Sequence, residues 1–202
     1  VYIINPDVTF NQDTIKELIT ASEKTSDFSI MTPVCSDSKF PNFKLSNFGI
    51  ANERDPFKVK SIDGFSMLLN KEKLKDDLYF DENFFLYLEE IDLCKRIKEL
   101  KFLICKTPNV FIHHMGGKSH NPDVSYKMEL QRNWHYMWSL FYFNRKHHGY
   151  FYAYQKTILK FFSALIKMSL FYFLNKKKHE IYKHRFLGLY NSFTNNKSSF
   201  RI

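Results

Sequence analysis

From Val1 to His113, short apolar runs closed by turn residues alternate with segments of helical period; from Ser125 onward only the helical period remains. Alternating runs of this kind bury themselves as a sheet flanked by helices, whereas an unbroken helical period packs helix on helix. The pattern predicts an α/β fold followed by a helical tail, divided into residues 1–119 and 120–202. Strands are expected at Val1–Ile4, Ser29–Val34 and Ile62–Asn70, with two short ones at Phe102–Thr107 and Val110–His113 separated by Pro108-Asn109. Helices are expected at Asp13–Ser22, where Ile15, Leu18 and Ile19 share a face, and at Glu89–Leu100, where Leu93, Ile97 and Leu100 do. Residues 36–60 read as irregular, broken by Pro41, Gly49 and Pro56. The tail reads as one helix from Tyr126 to about Arg145 and a second over Tyr150–Leu174.

Charge divides the chain at the same place. Residues 1–119 carry 16 Lys and Arg against 18 Asp and Glu, and residues 120–202 carry 14 against 3, so the net +9 comes from the tail. A near-neutral front and a basic, aromatic back suit a soluble domain joined to a segment for an anionic surface, either membrane or nucleic acid. A hydrophobic content of 44% excludes wholesale disorder. Cys35, Cys94 and Cys105 form no CxxC spacing, and their odd number argues against a disulfide framework and for a reducing compartment. No signal peptide is expected ahead of the first strand. The chain opens on Val1 inside an apolar run, which reads as a truncated product or gene fragment.

Three constellations carry chemistry. Asn5-Pro6-Asp7 closes the first strand, and a carboxylate there projects into the crevice at the strand's carboxyl end, where α/β proteins bind ligands. A cation bridging a diphosphate needs few protein carboxylates, because phosphate and water oxygens complete its shell. The plainer account is a turn capping a strand. Glu89, Glu90 and Asp92 then cluster at a helix start, directly after Phe84-Phe85-Leu86-Tyr87-Leu88. Capping and the helix dipole explain one or two of these carboxylates. An apolar, aromatic wall beside them would raise a carboxyl pKa toward general-base use. Finally, His113-His114 end a strand and point to opposite faces, so one of them at most faces a site; a lone His is commonly structural. In the loop that follows, Gly116-Gly117 can approach a phosphate closely, and Lys118 and Ser119 can contact its oxygens.

Together these pieces resemble family 2 inverting glycosyltransferases, in particular the bacterial rhamnosyltransferase-like subgroup. The resemblance rests on Ile4-Asn5-Pro6-Asp7, Asp63-Gly64-Phe65-Ser66-Met67-Leu68, Phe80-Asp81-Glu82-Asn83-Phe84-Phe85-Leu86-Tyr87, Glu89-Glu90-Ile91-Asp92-Leu93 and His114-Met115-Gly116-Gly117-Lys118-Ser119. Asn133-Trp134-His135-Tyr136 and Phe141-Tyr142-Phe143-Asn144-Arg145-Lys146 extend it through the tail. It implies a GT-A-type mixed sheet, a nucleotide-diphosphate-sugar donor and a divalent cation, Mg2+ or Mn2+. It places Asp7 and His114 on the metal, and Asn5 on donor ribose or the cation's water. Glu90 falls on the catalytic-base position, where Asp is the usual residue, with Glu89 beside it on the acceptor. Asp63 and Gly64 line the sugar pocket, and Asp92, Gly116, Gly117, Lys118 and Ser119 complete the donor and acceptor contacts. The family's first nucleotide-binding half is expected ahead of Val1. The implied reaction is transfer of a sugar, rhamnose foremost, to a glycan or lipid-linked hydroxyl in cell-envelope polysaccharide synthesis.

The competing reading is a catalytically inactive fragment that binds a membrane or nucleic acid. Nucleic acid would explain residues 120–202 but leaves Glu89, Glu90, Asp92 and His114 unexplained. For the tail, Ile158–Leu174 is apolar but interrupted by Lys160 and Lys167, which are seven residues apart on one face near Lys156, and Lys176-Lys177-Lys178 follows. This favours lying on a membrane over crossing it. The expected location is cytoplasmic, peripheral at the inner face of the membrane.

Overall fold

The computed structural model describes residues 1–25, 27–45, 57–74, 79–115 and 124–201. The elements are β1 (Tyr2–Ile4), β2 (Val8–Phe10), α1 (Thr14–Lys24), β3 (Phe28–Cys35), β4 (Phe43–Leu45), β5 (Phe57–Ile62), β6 (Ser66–Leu69), α2 (Glu89–Glu99), β7 (Leu103–His114), α3 (Ser125–His148), α4 (Tyr150–Leu174) and α5 (Lys176–Phe193). The protein is α/β, with a mixed sheet and a C-terminal helical region. It divides into two compact units. One comprises Val1–Phe80 with Glu90–Ser119, the other Asp81–Glu89 with His120–Ile202. The segment Asp81–Glu89 groups with the helices.

In the first unit seven strands form one sheet in the order β1-β6-β3-β7-β5-β4, with β2 also on β7. Among the described residues only β3 and β7 pair in parallel, and every other pairing is antiparallel. Successive residues of a strand face opposite sides, and the two cores separate accordingly. Ile30 and Ile104 pack with Leu93 and Ile97 of α2, while Met31 and Cys105 pack with Leu18 of α1. The helices therefore cover opposite faces, and β3, sandwiched between them, is buried nearly throughout. Cys35, Cys94 and Cys105 are all buried and free, and burial pushes the thiols of Cys94 and Cys105 up to about 12.

Several boundaries differ from the sequence expectation. The run Ile62–Asn70 is not one strand: β5 ends at Ile62, β6 begins at Ser66, and Gly64 between them has φ +80°. Conversely, the two strands expected around Pro108-Asn109 are one. Between the pairs Thr32↔Lys106 and Val34↔Phe111 the register shifts, so β7 absorbs its extra residues as a bulge beside Pro33 of β3. The 36–60 stretch supplies β4 and the start of β5; Gly49 and Pro56 lie outside the described residues. Strand β2 had no expectation, being only three residues long.

In the second unit α3, α4 and α5 close around Met137, Phe141, Ala153 and Leu189, joined by Tyr154, Phe161 and Phe193. Gly149, with φ +84°, ends α3 and opens α4. Gly188 lets α5 lie against α3: a Cβ there would stand 2.3 Å from the Trp134 carbonyl oxygen. Helix α5 was not anticipated. Asn175 caps it, its side chain accepting from the Lys178 N–H at 3.0 Å. The segment Asp81–Glu89 is pinned to α3. Ser139 Oγ donates to the Leu86 carbonyl at 2.8 Å, and Tyr142 and Lys146 reach Asp81 Oδ2 at 2.9 and 2.7 Å. Phe84 meets Tyr142 edge-on, and Phe85 contacts His135 and carries the Arg201 guanidinium 3.4 Å from its ring centroid. The aromatic run before the carboxylates thus packs on α3.

Candidate functional site

Strand β1 runs parallel to β3 and β7, since two antiparallel steps through β6 restore the direction. Asn5-Pro6-Asp7 leaves the carboxyl end of β1 and arrives at the carboxyl end of β7. There Val8 pairs with His114, and the Met115 N–H donates to the Asp7 carbonyl at 3.0 Å. Asp7 and His114, 107 positions apart, meet for this reason: Asp7 Oδ1 lies 3.4 Å from His114 Nε2. The ring of Phe65 stacks on the imidazole with centroids 4.2 Å apart and planes 11° apart, which fixes the direction of Nε2. Beneath them Val8, Cys35, Phe65 and Ile112 form a small apolar core.

Asp7 is 4% exposed, and its Oδ1 accepts no hydrogen bond among the described residues. A buried carboxylate oxygen in that state is costly unless a cation completes it. Two ligand atoms on one metal, each about 2.0–2.2 Å from it, stand about 3–3.4 Å apart. The Oδ1–Nε2 separation matches. Among the described residues no group of three or more His, Cys, Asp and Glu side chains could hold a metal. A cation on Asp7 and His114 would have no third ligand from such a group among the described residues, and the oxygens of a bound diphosphate could complete its shell.

Glu90 reaches the same unit through Gly64. A Cβ built on Gly64 would lie 3.1 Å from both Cβ and Cγ of Glu90, so the stem of Glu90 rests on the glycine. Gly64 precedes Phe65, and Asp63 precedes Gly64. The Asn5 N–H donates to the Phe65 carbonyl at 2.9 Å, and the Asp63 N–H to the Asn42 carbonyl at 3.1 Å. Burial raises the Asp63 carboxyl above its ordinary range, with Lys44 opposing. The structure therefore brings Asn5, Asp7, Asp63, Gly64, Glu90 and His114 onto one chain of contacts in the first unit.

Asn42 is a positioning residue that the sequence reading missed. It is fully buried, with φ +73°. Its amide donates to Thr32 Oγ1, to the Ser66 carbonyl at 2.9 Å and to the Pro33 carbonyl at 3.3 Å. It ties the loop carrying Asp63 to the central strand. Its signal was Asn after Pro in a breaker-rich stretch, since Asn tolerates the left-handed region.

The remaining expected residues are placed differently. Asp92 is fully buried in an ion pair with Arg96 at 2.8 Å, and Arg96 also donates to the Tyr79 carbonyl. It fastens α2 to the sequence before it and presents no face to a ligand. Glu89 groups with the second unit. Its Oε2 is buried without a hydrogen bond among the described residues, and burial raises its carboxyl. Immediately before it, Tyr87 and Leu88 both have positive φ, 68° and 70°. Two bulky residues there are strained. Gly116, Gly117, Lys118 and Ser119 lie outside the described residues. His113, pointing away from His114, meets Ser36 Oγ at 3.1 Å beside a shallow depression of about 410 Å3.

The chain matches no protein-family model, no curated protein and no solved structure.

Proposed function

We propose that the chain is the acceptor-side part of an inverting glycosyltransferase of the family 2 type, on a GT-A-type sheet. It transfers a sugar, rhamnose foremost, from a nucleoside-diphosphate donor to a glycan or lipid-linked hydroxyl for cell-surface polysaccharide. The observation that carries this is the Asp7–His114 pair, a buried carboxylate oxygen without a hydrogen bond among the described residues, 3.4 Å from an aromatic-clamped imidazole nitrogen at the carboxyl end of the sheet. A site that wants one divalent cation and offers it two protein ligands suits a diphosphate that brings its own oxygens.

Asp7 and His114 would hold Mg2+ or Mn2+, and when bound the cation offsets the charge developing on the departing diphosphate. Glu90 removes the proton from the acceptor hydroxyl as that oxygen attacks the anomeric carbon. The bond to the diphosphate breaks on the opposite face, so one displacement inverts the centre and no covalent enzyme intermediate forms. Gly64 sets where Glu90 stands, and Asp63 is placed to hydrogen-bond sugar hydroxyls. The paired positive-φ residues before Glu89-Glu90 support the reading, because backbone strain of this kind concentrates at sites where geometry is imposed.

The test is transfer from a panel of nucleoside-diphosphate sugars, measured on the complete gene product with Mn2+. Glu90→Gln is expected to lower turnover by roughly 10²–10⁴-fold while donor binding stays within a few fold. Glu89→Gln serves as the comparison, because Glu89 Oε2 is buried without a hydrogen bond among the described residues. Wild-type turnover in Glu90→Gln, with loss in Glu89→Gln, would move the base by one residue.

A further inference from the structure

Helix α4 has two apolar faces, of which the bundle uses one. Ala153, Thr157 and Ala164 are buried, and Phe161 packs on Phe186 and Phe193 with centroids 4.7 and 5.2 Å away. On the opposite side Phe151, Leu159, Phe162, Ile166, Leu170 and Phe173 recur at helical spacing and form one exposed stripe along the helix. Phe151 is 76% exposed, Leu159 78%, Ile166 64% and Phe173 88%. A stripe of this length is far more apolar surface than solitary exposed residues provide. Lys156, Lys160 and Lys167 run along its flank at intervals of four and seven, and Lys176-Lys177-Lys178 begin the next helix. Helix α4 contains no Asp or Glu.

We propose that this face of α4 docks on an anionic phospholipid bilayer, with the helix lying in the plane of the headgroups. The stripe enters the acyl boundary, and the flanking lysines extend upward to lipid phosphates. Charge selects this occupant. A second copy would set two strongly cationic bundles against each other, and a nucleic acid would leave six large apolar side chains without a partner. Length and composition alone would also let α4 cross a bilayer, its 25 residues spanning about 37 Å. Crossing would strip α4 from α5, to which Asn175 alone joins it and against which its inner face is packed, and would carry Lys160 and Lys167 through the core. The proposal is independent of sugar transfer.

The test is co-sedimentation of the full chain with vesicles of phosphatidylcholine alone and with phosphatidylglycerol added. The protein is expected to pellet with the anionic vesicles, to be reduced but still bound at about 0.5 M salt, and to be released by alkaline carbonate. Lys156→Gln, Lys160→Gln and Lys167→Gln together are expected to cost about ten- to a hundredfold in partitioning. Phe162→Asp with Ile166→Asp, both at exposed positions, should abolish pelleting while helicity and melting are unchanged. Equal recovery in the supernatant with and without phosphatidylglycerol would overturn the proposal. So would wild-type pelleting by the double aspartate variant, resistance to carbonate, or a preference for a DNA duplex that the double variant retains.

Discussion

Gly64 combines two requirements that only glycine meets together. Its φ of +80° is unfavourable for any side chain, and a Cβ would press on the stem of Glu90 at 3.1 Å. Gly64→Ala is therefore expected to cost about 1–2 kcal/mol from the backbone alone and to displace Glu90, so that transfer falls while donor binding is kept. Thermal melting and kinetics on the same sample check both effects; an active variant of unchanged stability would contradict the arrangement. Asp7 and His114 were legible because each closes a predicted strand, and strand ends of one direction gather at one edge of an α/β sheet. Phe65 and Asn42 were not legible. Stacking on an imidazole and bracing a loop are tertiary contacts with no local periodicity. Asp92 shows the converse: the resemblance placed it among the donor and acceptor contacts, yet the arginine one helical turn on pairs with its carboxylate.

Among the elements, α1, α2 and the start and end of α4 follow from apolar periodicity and breakers. The split of Ile62–Asn70 and the fusion across Pro108-Asn109 do not, because continuity of a strand is decided by its neighbours. Helix α5 escaped notice because its first turn holds three lysines, which the helix dipole disfavours; its order comes from packing on α3 and α4. Gly188→Ala in α5 should lower stability by about 1–3 kcal/mol, because the new methyl meets the Trp134 carbonyl. The end of the chain returns to α3 at His135, whose Nε2–H donates to the Phe200 carbonyl while Nδ1 accepts from Ser198, both at 2.8 Å. Burial, opposed by the Phe200 bond, holds this imidazole at about 4 rather than 6.5. The folded state therefore binds its proton more weakly than the unfolded chain. The stability His135 contributes is present above pH 6.5 and is lost as pH falls toward 4. A titration of the His135 ring by NMR checks this; a midpoint near 6.5 would contradict the buried, neutral ring.

At the scale of the molecule, charge and chemistry are divided between the units. The excess of Lys and Arg over Asp and Glu lies in the helical unit with the exposed stripe of α4, and Asp7, Asp63, Glu90 and His114 lie in the sheet unit. Residues 84–88, read from the sequence as a wall beside the carboxylates, instead fasten the Asp81–Glu89 segment to α3. A pattern of aromatics before acidic residues has the same local form in either case, and the difference lies in which helix receives the rings. The proposed function requires a cation shared by Asp7 and His114 in the unit that carries Glu90. Paramagnetic NMR of the chain with Mn2+ and thymidine diphosphate tests it most directly. The amides of Asp7, Gly64, Phe65, Glu90 and His114 are expected to broaden together, and Asp7→Asn to weaken the effect by at least about tenfold. Broadening centred on other residues, or unchanged in Asp7→Asn, would contradict it.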